Sequence, residues 1–325
     1  MAKKPKIIFT ADDYGCADEI DDGILKAVDD GLIKSVAAFA NGPDVVNRLK
    51  KIKVRQDRGD VEVGCHLTIT SGKPLTDLTW FNDNNGNFRS FTEMKRKGTF
   101  SEDIQDEVKK DLKEELLAQI EILEKNGITV KHLSSHHNAL VFFEEYLEVF
   151  IEVAREKKIK MRSPIITPTL KNKLFITQLR VRSADNLDLF DIMELKRFSR
   201  RIPRWLAKYK KKNNVNNDFP EMPDCIDGRH YGPIPVLKPK KSKYEAKAKR
   251  KTKKMMKAIN KLSPKSVVEY VYHLALLDNI TKPFNMRDYA GVNKSYFDSR
   301  EIEFLSLSKY LKAENVKLAS WGDDM

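Results

Sequence analysis

Short β-branched apolar runs alternate with amphipathic segments along most of this chain, and that alternation leaves few folds open. "KIIFTA" (6–11), "SVAAFAN" (35–41), "VEVGCHLTI" (61–69), "VKHLSSH" (130–136), "IKMRSPII" (159–166), "VVEYVYHLA" (267–275) and "VKLASW" (316–321) read as strands. Helices read between them. Residues 19–31 place Ile20, Ile24 and Val28 at four-residue steps and stop at Gly31; residues 104–127 stop at Asn126-Gly127; 147–158 and 300–315 follow. Strands alternating with helices make a parallel sheet with the helices outside it. More than five such units favour an α/β, (β/α) barrel-like single domain over two separate ones. With 325 residues, 41% of them hydrophobic, the chain can fill one large core or two modest ones. The expected domain is 1–325, with an insertion at about 167–260.

That insertion holds "KNKLFITQLRVRS", "RRIPRWLAKYKKKNNVNND" and "KPKKSKYEAKAKRKTKKMMKAINKL". It reads as loops and helices, with a lysine-rich helix at about 243–262. Residues 196–254 carry 20 basic and five acidic side chains, a local net of +15 against +13 for the whole chain. The basicity is therefore regional. No apolar stretch reaches membrane-spanning length, and "IIF" is too short for the apolar part of a signal peptide. Cys16, Cys65 and Cys225 are odd in number and far apart, so neither a disulfide framework nor a thiolate zinc site is expected. These features point to a cytoplasmic protein.

The unusual polar residues gather at strand ends. Asp12 and Asp13 close the first strand, His66 the third, His136 and His137 the fourth, and His273 the late one. In parallel α/β sheets, ligands bind beyond the C-terminal ends of the strands. Taken singly, each has a plain reading. A lone histidine is usually a surface or hydrogen-bonded core residue, and Asp-Asp before Tyr-Gly can be a turn. Together they offer a carboxylate and two imidazoles, a common set for a divalent ion with open coordination positions. Two adjacent carboxylates repel unless a cation or a shared proton relieves them. The joint placement points to a metal-dependent hydrolase.

"TADDYG", "GCHLTITSGKPL" and "KHLSSHHNALVF", in that order, resemble the YdjC-like carbohydrate deacetylases, whose motifs read "NADDFG", "GxHLxLTxGxPL" and "THxDSHHHxH". The resemblance continues in "IKMRS" (159–163), "DCIDGRHYG" (224–232), "VVEYVYHLALLDN" (267–279) and "SREIEFLSL" (299–307), and skips about 167–222 and part of the lysine helix. It implies a barrel-like (β/α) fold and removal of acetyl groups from N-acetylated sugars. It also implies one divalent ion, Mg2+ or Zn2+, held by Asp13, His66 and His136. Asp12 would be the base that activates water, and His273 would stand near the leaving group. Several positions depart from the motifs: Ser134 for Asp, Asn138 and Leu140 for His, Leu274 for Pro, and Asp21 for a frequent Asn.

The expected reaction is amide hydrolysis on an N-acetylated mono- or oligosaccharide. Adjacent strand residues point in different directions, so the two aspartates are not expected to bind the ion equally well; the resemblance gives the ion to Asp13 and leaves Asp12 to move protons. Arg162 and Arg300 read either as partners of Asp12 or Glu303 or as surface ion pairs; with Tyr231 they are the candidate substrate contacts. Trp80, Phe81, Tyr231 and Tyr289 are candidates for stacking on sugar rings or for plugging the core. One rival reading is a metal hydrolase for another amide or a phosphoester. The other is a non-catalytic binding protein using the basic 238–254 cluster. That cluster holds one aromatic, Tyr244, so it has little base-stacking capacity. Nucleic acid and membrane are not expected partners; a homodimer stays open.

Overall fold

The computed structural model describes residues 5–90, 93–94, 104–141, 143–165, 189–215, 217–226, 243–276, 294–311 and 318–323. Its centre is one sheet of eight strands: β1 Lys6–Tyr14, β2 Ser35–Ala38, β3 Glu62–Leu67, β4 Val130–Ser135, β5 Lys160–Met161, β6 Cys225–Ile226, β7 Val267–Tyr272 and β8 Leu318–Ala319. The order is β5-β4-β3-β2-β1-β7-β6, with β8 beside the start of β1. Every pairing is parallel. The sheet curls until its edges meet: the Met161 N–H donates to the Glu221 carbonyl and the Ile226 N–H to the Ile165 carbonyl. The α/β barrel-like architecture is the one read from the strand–helix alternation.

Both faces of the sheet are covered. In β1 every residue after Lys6 is buried, and in β7 all six are. A parallel sheet buried on both sides needs continuous apolar strands, and the sequence supplies them. One face meets helices, where Phe9 packs edge-on against Tyr270 and Tyr272. The other faces the barrel interior. Near the strand N-termini that interior is closed by Trp321, which clusters with Ile8, Val267 and Ala319. Its ring stacks on His132 at 4.5 Å, and its indole N–H donates to Ser35. Gly64 is required beside this layer, because a Cβ there would come within 2.4 Å of the His132 ring and carbonyl.

Among the described residues the principal helices are Asp18–Asp29, Val45–Asp57, Asp106–Lys125, Glu144–Glu156, Leu189–Lys212, Tyr244–Ile259 and Lys294–Leu305; the last continues into a π-type turn, Ser306–Leu311. Val45–Asp57 is not legible in the sequence, since it buries only Arg48, Leu49 and Ile52. Strand β6 is two residues long and equally silent. The expected strand at 159–166 shortens to Lys160–Met161. Among the described residues, no helix is long and apolar enough to cross a membrane.

The lysine-rich helix Tyr244–Ile259 is amphipathic. Tyr244, Ala248, Lys251, Thr252, Met255, Ala258 and Ile259 turn inward, while Lys249, Lys253, Lys254 and Lys257 are exposed. The inner face packs on the late helix: Tyr244, Ala248 and Ile302 share a cluster, and the Thr252 and Ser306 hydroxyls are 2.7 Å apart.

Candidate metal centre and active site

The site forms at the C-terminal ends of the strands, and it begins with a break in β1. The β1–β2 register shifts between Ala11 and Tyr14, and Asp13 adopts φ 75°. A left-handed backbone costs a residue with a Cβ roughly 1–2 kcal/mol, least for Asp and Asn. The break cancels the alternation that would separate the two aspartates. His66 Nε2 lies 3.4 Å from Asp13 Oδ1 and 3.9 Å from Asp12 Oδ2, so both carboxylates meet at one centre.

His66 comes from β3, and His136 follows the last residue of β4. His137 and Asn138, at φ 53° and 54°, turn the chain sharply after it. His136 Nδ1 is 3.3 Å from Asp13 Oδ1 and 3.2 Å from His66 Nε2. Asp13 Oδ1, His66 Nε2 and His136 Nδ1 therefore make a nearly equilateral triangle with all three residues buried. Ligands about 2.0–2.2 Å from one ion at near-tetrahedral angles stand about 3.1–3.6 Å apart. The donors fit a divalent ion. Phe39 sets its ring edge against both imidazoles and walls the triangle.

Ser134 faces His66 in the β3–β4 register, and its hydroxyl is 2.7 Å from His66 Nδ1. When His66 Nδ1–H donates to that hydroxyl, Nε2 keeps its lone pair toward the triangle, as a ligand needs. At the position where the motif carries Asp, the serine thus offers His66 a neutral hydrogen-bond partner. Asp21 accepts the Gly15 N–H at 2.7 Å and pairs with Arg48, pinning the turn after β1. Leu140 and Leu274 are simply buried in the core.

Asp12 is not free. Arg162 holds both its oxygens in a two-pronged grip at 2.7 and 2.8 Å, and also donates to Glu269 at 2.8–3.1 Å. Burial alone would raise the Asp12 carboxyl; the Arg162 guanidinium, with His66 and His273 nearby, overrides this and sets it at about 2. Asp13 is likewise penalised by burial, yet Arg300, at 2.8 Å from Oδ2, and the two imidazoles hold it well below the usual range. Arg162 and Arg300 are 1% and 0% exposed, so the surface ion-pair reading fails for both. His273 follows β7; its backbone N–H donates to Glu303 Oε2 at 2.8 Å.

The sequence profile of the YdjC-like protein family matches residues 6–313. The chain belongs to the YdjC-like family. It is 31% identical over 157 residues to a carbohydrate deacetylase of Vibrio cholerae, covering 48% of this chain and 58% of that one. It is 30% identical to one of Oceanobacillus iheyensis, covering 48% and 64%, and 35% identical to carbohydrate deacetylase 1 of Listeria innocua, covering 41% and 51%. The matched stretch thus spans about half to two thirds of those curated relatives. A candidate cellobiose-phosphate cleavage protein of Enterococcus faecalis V583 shares the fold at a TM-score of 0.64, with 18% identity over 98% of each chain.

In this YdjC-like chain the structure brings together Asp12, Asp13, His66, His136, Arg162, Arg300 and His273. Tyr231 and Tyr289 lie outside the described residues. Trp80 is 44% exposed, whereas Phe81 is buried edge-on against Tyr146 as a core plug. The His137 ring lies 3.8 Å from that of His136, tilted by 31°, and reaches the Thr70 hydroxyl. Sequence reasoning missed Phe39, Glu269 and Lys251. A signal existed for Glu269: a carboxylate inside "VVEYVYH", a strand buried on both faces, demands a cationic partner.

Proposed function

We propose that this chain is a metal-dependent hydrolase that removes the acetyl group from an N-acetylated sugar. The observation that carries the reading is the Asp13–His66–His136 triangle with Asp12 at its edge, in a family whose curated relatives are named carbohydrate deacetylases. Asp13, His66 and His136 would hold the ion. When bound, a divalent ion polarises an amide carbonyl and lowers the pKa of a neighbouring water. Asp12 would take the proton of the attacking water. Arg162 keeps Asp12 ionised and aimed. His273, protonated, delivers a proton to the departing amine. Arg162 and Arg300 act as supports of the two aspartates rather than as sugar contacts, because their guanidinium groups are buried and engaged.

Two imidazoles and one carboxylate suit zinc better than magnesium, which favours oxygen ligands and keeps its waters. Protein loaded with each metal and then dialysed is expected to retain zinc near one per chain and to lose magnesium, as read by elemental analysis. The activity test is acetate release from a panel of N-acetylated mono- and oligosaccharides, run beside other amides and phosphoesters. Acetate from at least one sugar is expected. Phosphate release with no acetate from any sugar would replace this reading with the phosphoesterase one.

The basic helix is no part of the proposed chemistry on its outer face. Replacing Lys249, Lys253, Lys254 and Lys257 together with Gln is expected to leave turnover of a neutral acetylated sugar within about two-fold. Each change should move stability by no more than about 0.5 kcal/mol in urea unfolding. A loss of turnover comparable to that of a metal-ligand variant would bring that face back into the site.

A further inference from the structure

One lysine of the basic helix does not behave like its neighbours. Lys251 is 6% exposed, whereas Lys249, Lys253, Lys254 and Lys257 face solvent. It occupies an inward position of the helical repeat, seven residues after Tyr244 and four before Met255, both buried. Its ammonium lies 2.9 Å from Glu303 Oε1, and Glu303 is fully buried. The other oxygen of that carboxylate accepts the backbone N–H of His273 at 2.8 Å. The ammonium also lies 5.2 Å from the ring centre of Tyr272, the residue before His273. The chain of contacts thus runs from the basic helix, through the late helix, to the backbone at the end of β7.

We propose that Lys251 is a positioning residue that fixes His273 at the end of β7 by holding Glu303 against the His273 amide. The proposal rests on the hydrolase reading for its kinetic consequence, though not for its structural one. A hydrogen bond to an ionised carboxylate is roughly twice as strong as one to a neutral group. A buried carboxylate remains ionised only with a cation beside it. Burial pushes the Glu303 carboxyl up, and Lys251 is the foremost group opposing this. Without the lysine, Glu303 protonates or swings away, and the segment carrying His273 loses an anchor. An imidazole that must meet a leaving nitrogen tolerates little displacement: misplacement of about 1 Å costs on the order of 10²-fold.

Amide hydrogen exchange across 267–276, followed by mass spectrometry on the full zinc-loaded chain, tests the link without any substrate. In Lys251→Met, exchange at His273 is expected to quicken about ten-fold or more, with Val267–Val271 unchanged. Lys251→Arg, which keeps the charge, is expected to restore protection. On an acetylated sugar, Lys251→Met should lower kcat about ten-fold with KM within two-fold, and Lys251→Arg should recover most of it. If Lys251→Met folds poorly, Lys251→Met with Glu303→Gln leaves no buried charge unpaired and should show the same local loss. Wild-type protection at His273 in both variants overturns the proposal, as does a loss spread evenly over the sheet. If the wild-type chain hydrolyses no acetylated sugar, the hydrolase reading fails while the exchange result still decides the role of Lys251.

Discussion

His66→Ala is expected to strip the protein of stoichiometric metal and to reduce turnover to background. His66 Nε2 is one corner of a triangle whose sides are 3.2–3.4 Å, so its loss leaves two donors where three converged. Asp13 and His136 alone do not enclose an ion, and Ala brings no oxygen or nitrogen in exchange. The change also removes a ring that packs on Phe39 and leaves the Ser134 hydroxyl without its imidazole, at about 1–3 kcal/mol. Elemental analysis after dialysis reads the metal, and urea unfolding confirms that the chain is folded when it is read. Full retention of zinc by a folded His66→Ala protein would remove the site assignment.

Asp12→Asn should do the opposite: keep the metal and lose about 10²–10⁴-fold in turnover, the usual worth of general-base catalysis. The substitution is less innocent than its shape implies. Arg162 offers two N–H groups to two acceptor oxygens, and an asparagine presents a donor where one oxygen stood. One bond of the pair is lost, while Glu269 still holds the guanidinium. A stability loss of about 1–3 kcal/mol is therefore expected alongside the kinetic one, and the two are separated by assaying well below the melting temperature. Asp13→Asn should weaken metal binding instead, with activity partly recovered in excess ion. Metal loss in Asp12→Asn with retention in Asp13→Asn would exchange the two roles. No effect from either on any acetylated sugar would discard the deacetylase reading.

The strand pattern was legible because it is local. Side-chain branching and apolar runs announce β1, β2, β3, β4 and β7 within windows of four to nine residues, and the histidines at their ends are visible in the same windows. The helix Val45–Asp57 stayed hidden because three buried residues in thirteen make no stripe. The break at Asp13 stayed hidden for another reason. A left-handed residue inside a strand is imposed by the neighbouring strand's register, and "TADDYG" reads the same with or without it. Ser134 appears in the sequence only as a departure from a motif; its register opposite His66 makes it the partner of Nδ1.

That the chain forms a parallel α/β sheet, and that its aspartates and histidines collect at one end of it, can be read from the order of residues alone. Both follow from short-range preferences of side chains for strand or helix. Where those groups point and which charges meet follows from long-range packing. Asp12 meets Arg162 across 150 residues and Asp13 meets Arg300 across 287. Lys251 separates from the solvated lysines around it by reaching Glu303. A buried charge is tolerable only beside its counter-charge, and the packing of strands and helices, not the neighbouring sequence, sets which counter-charge is within reach.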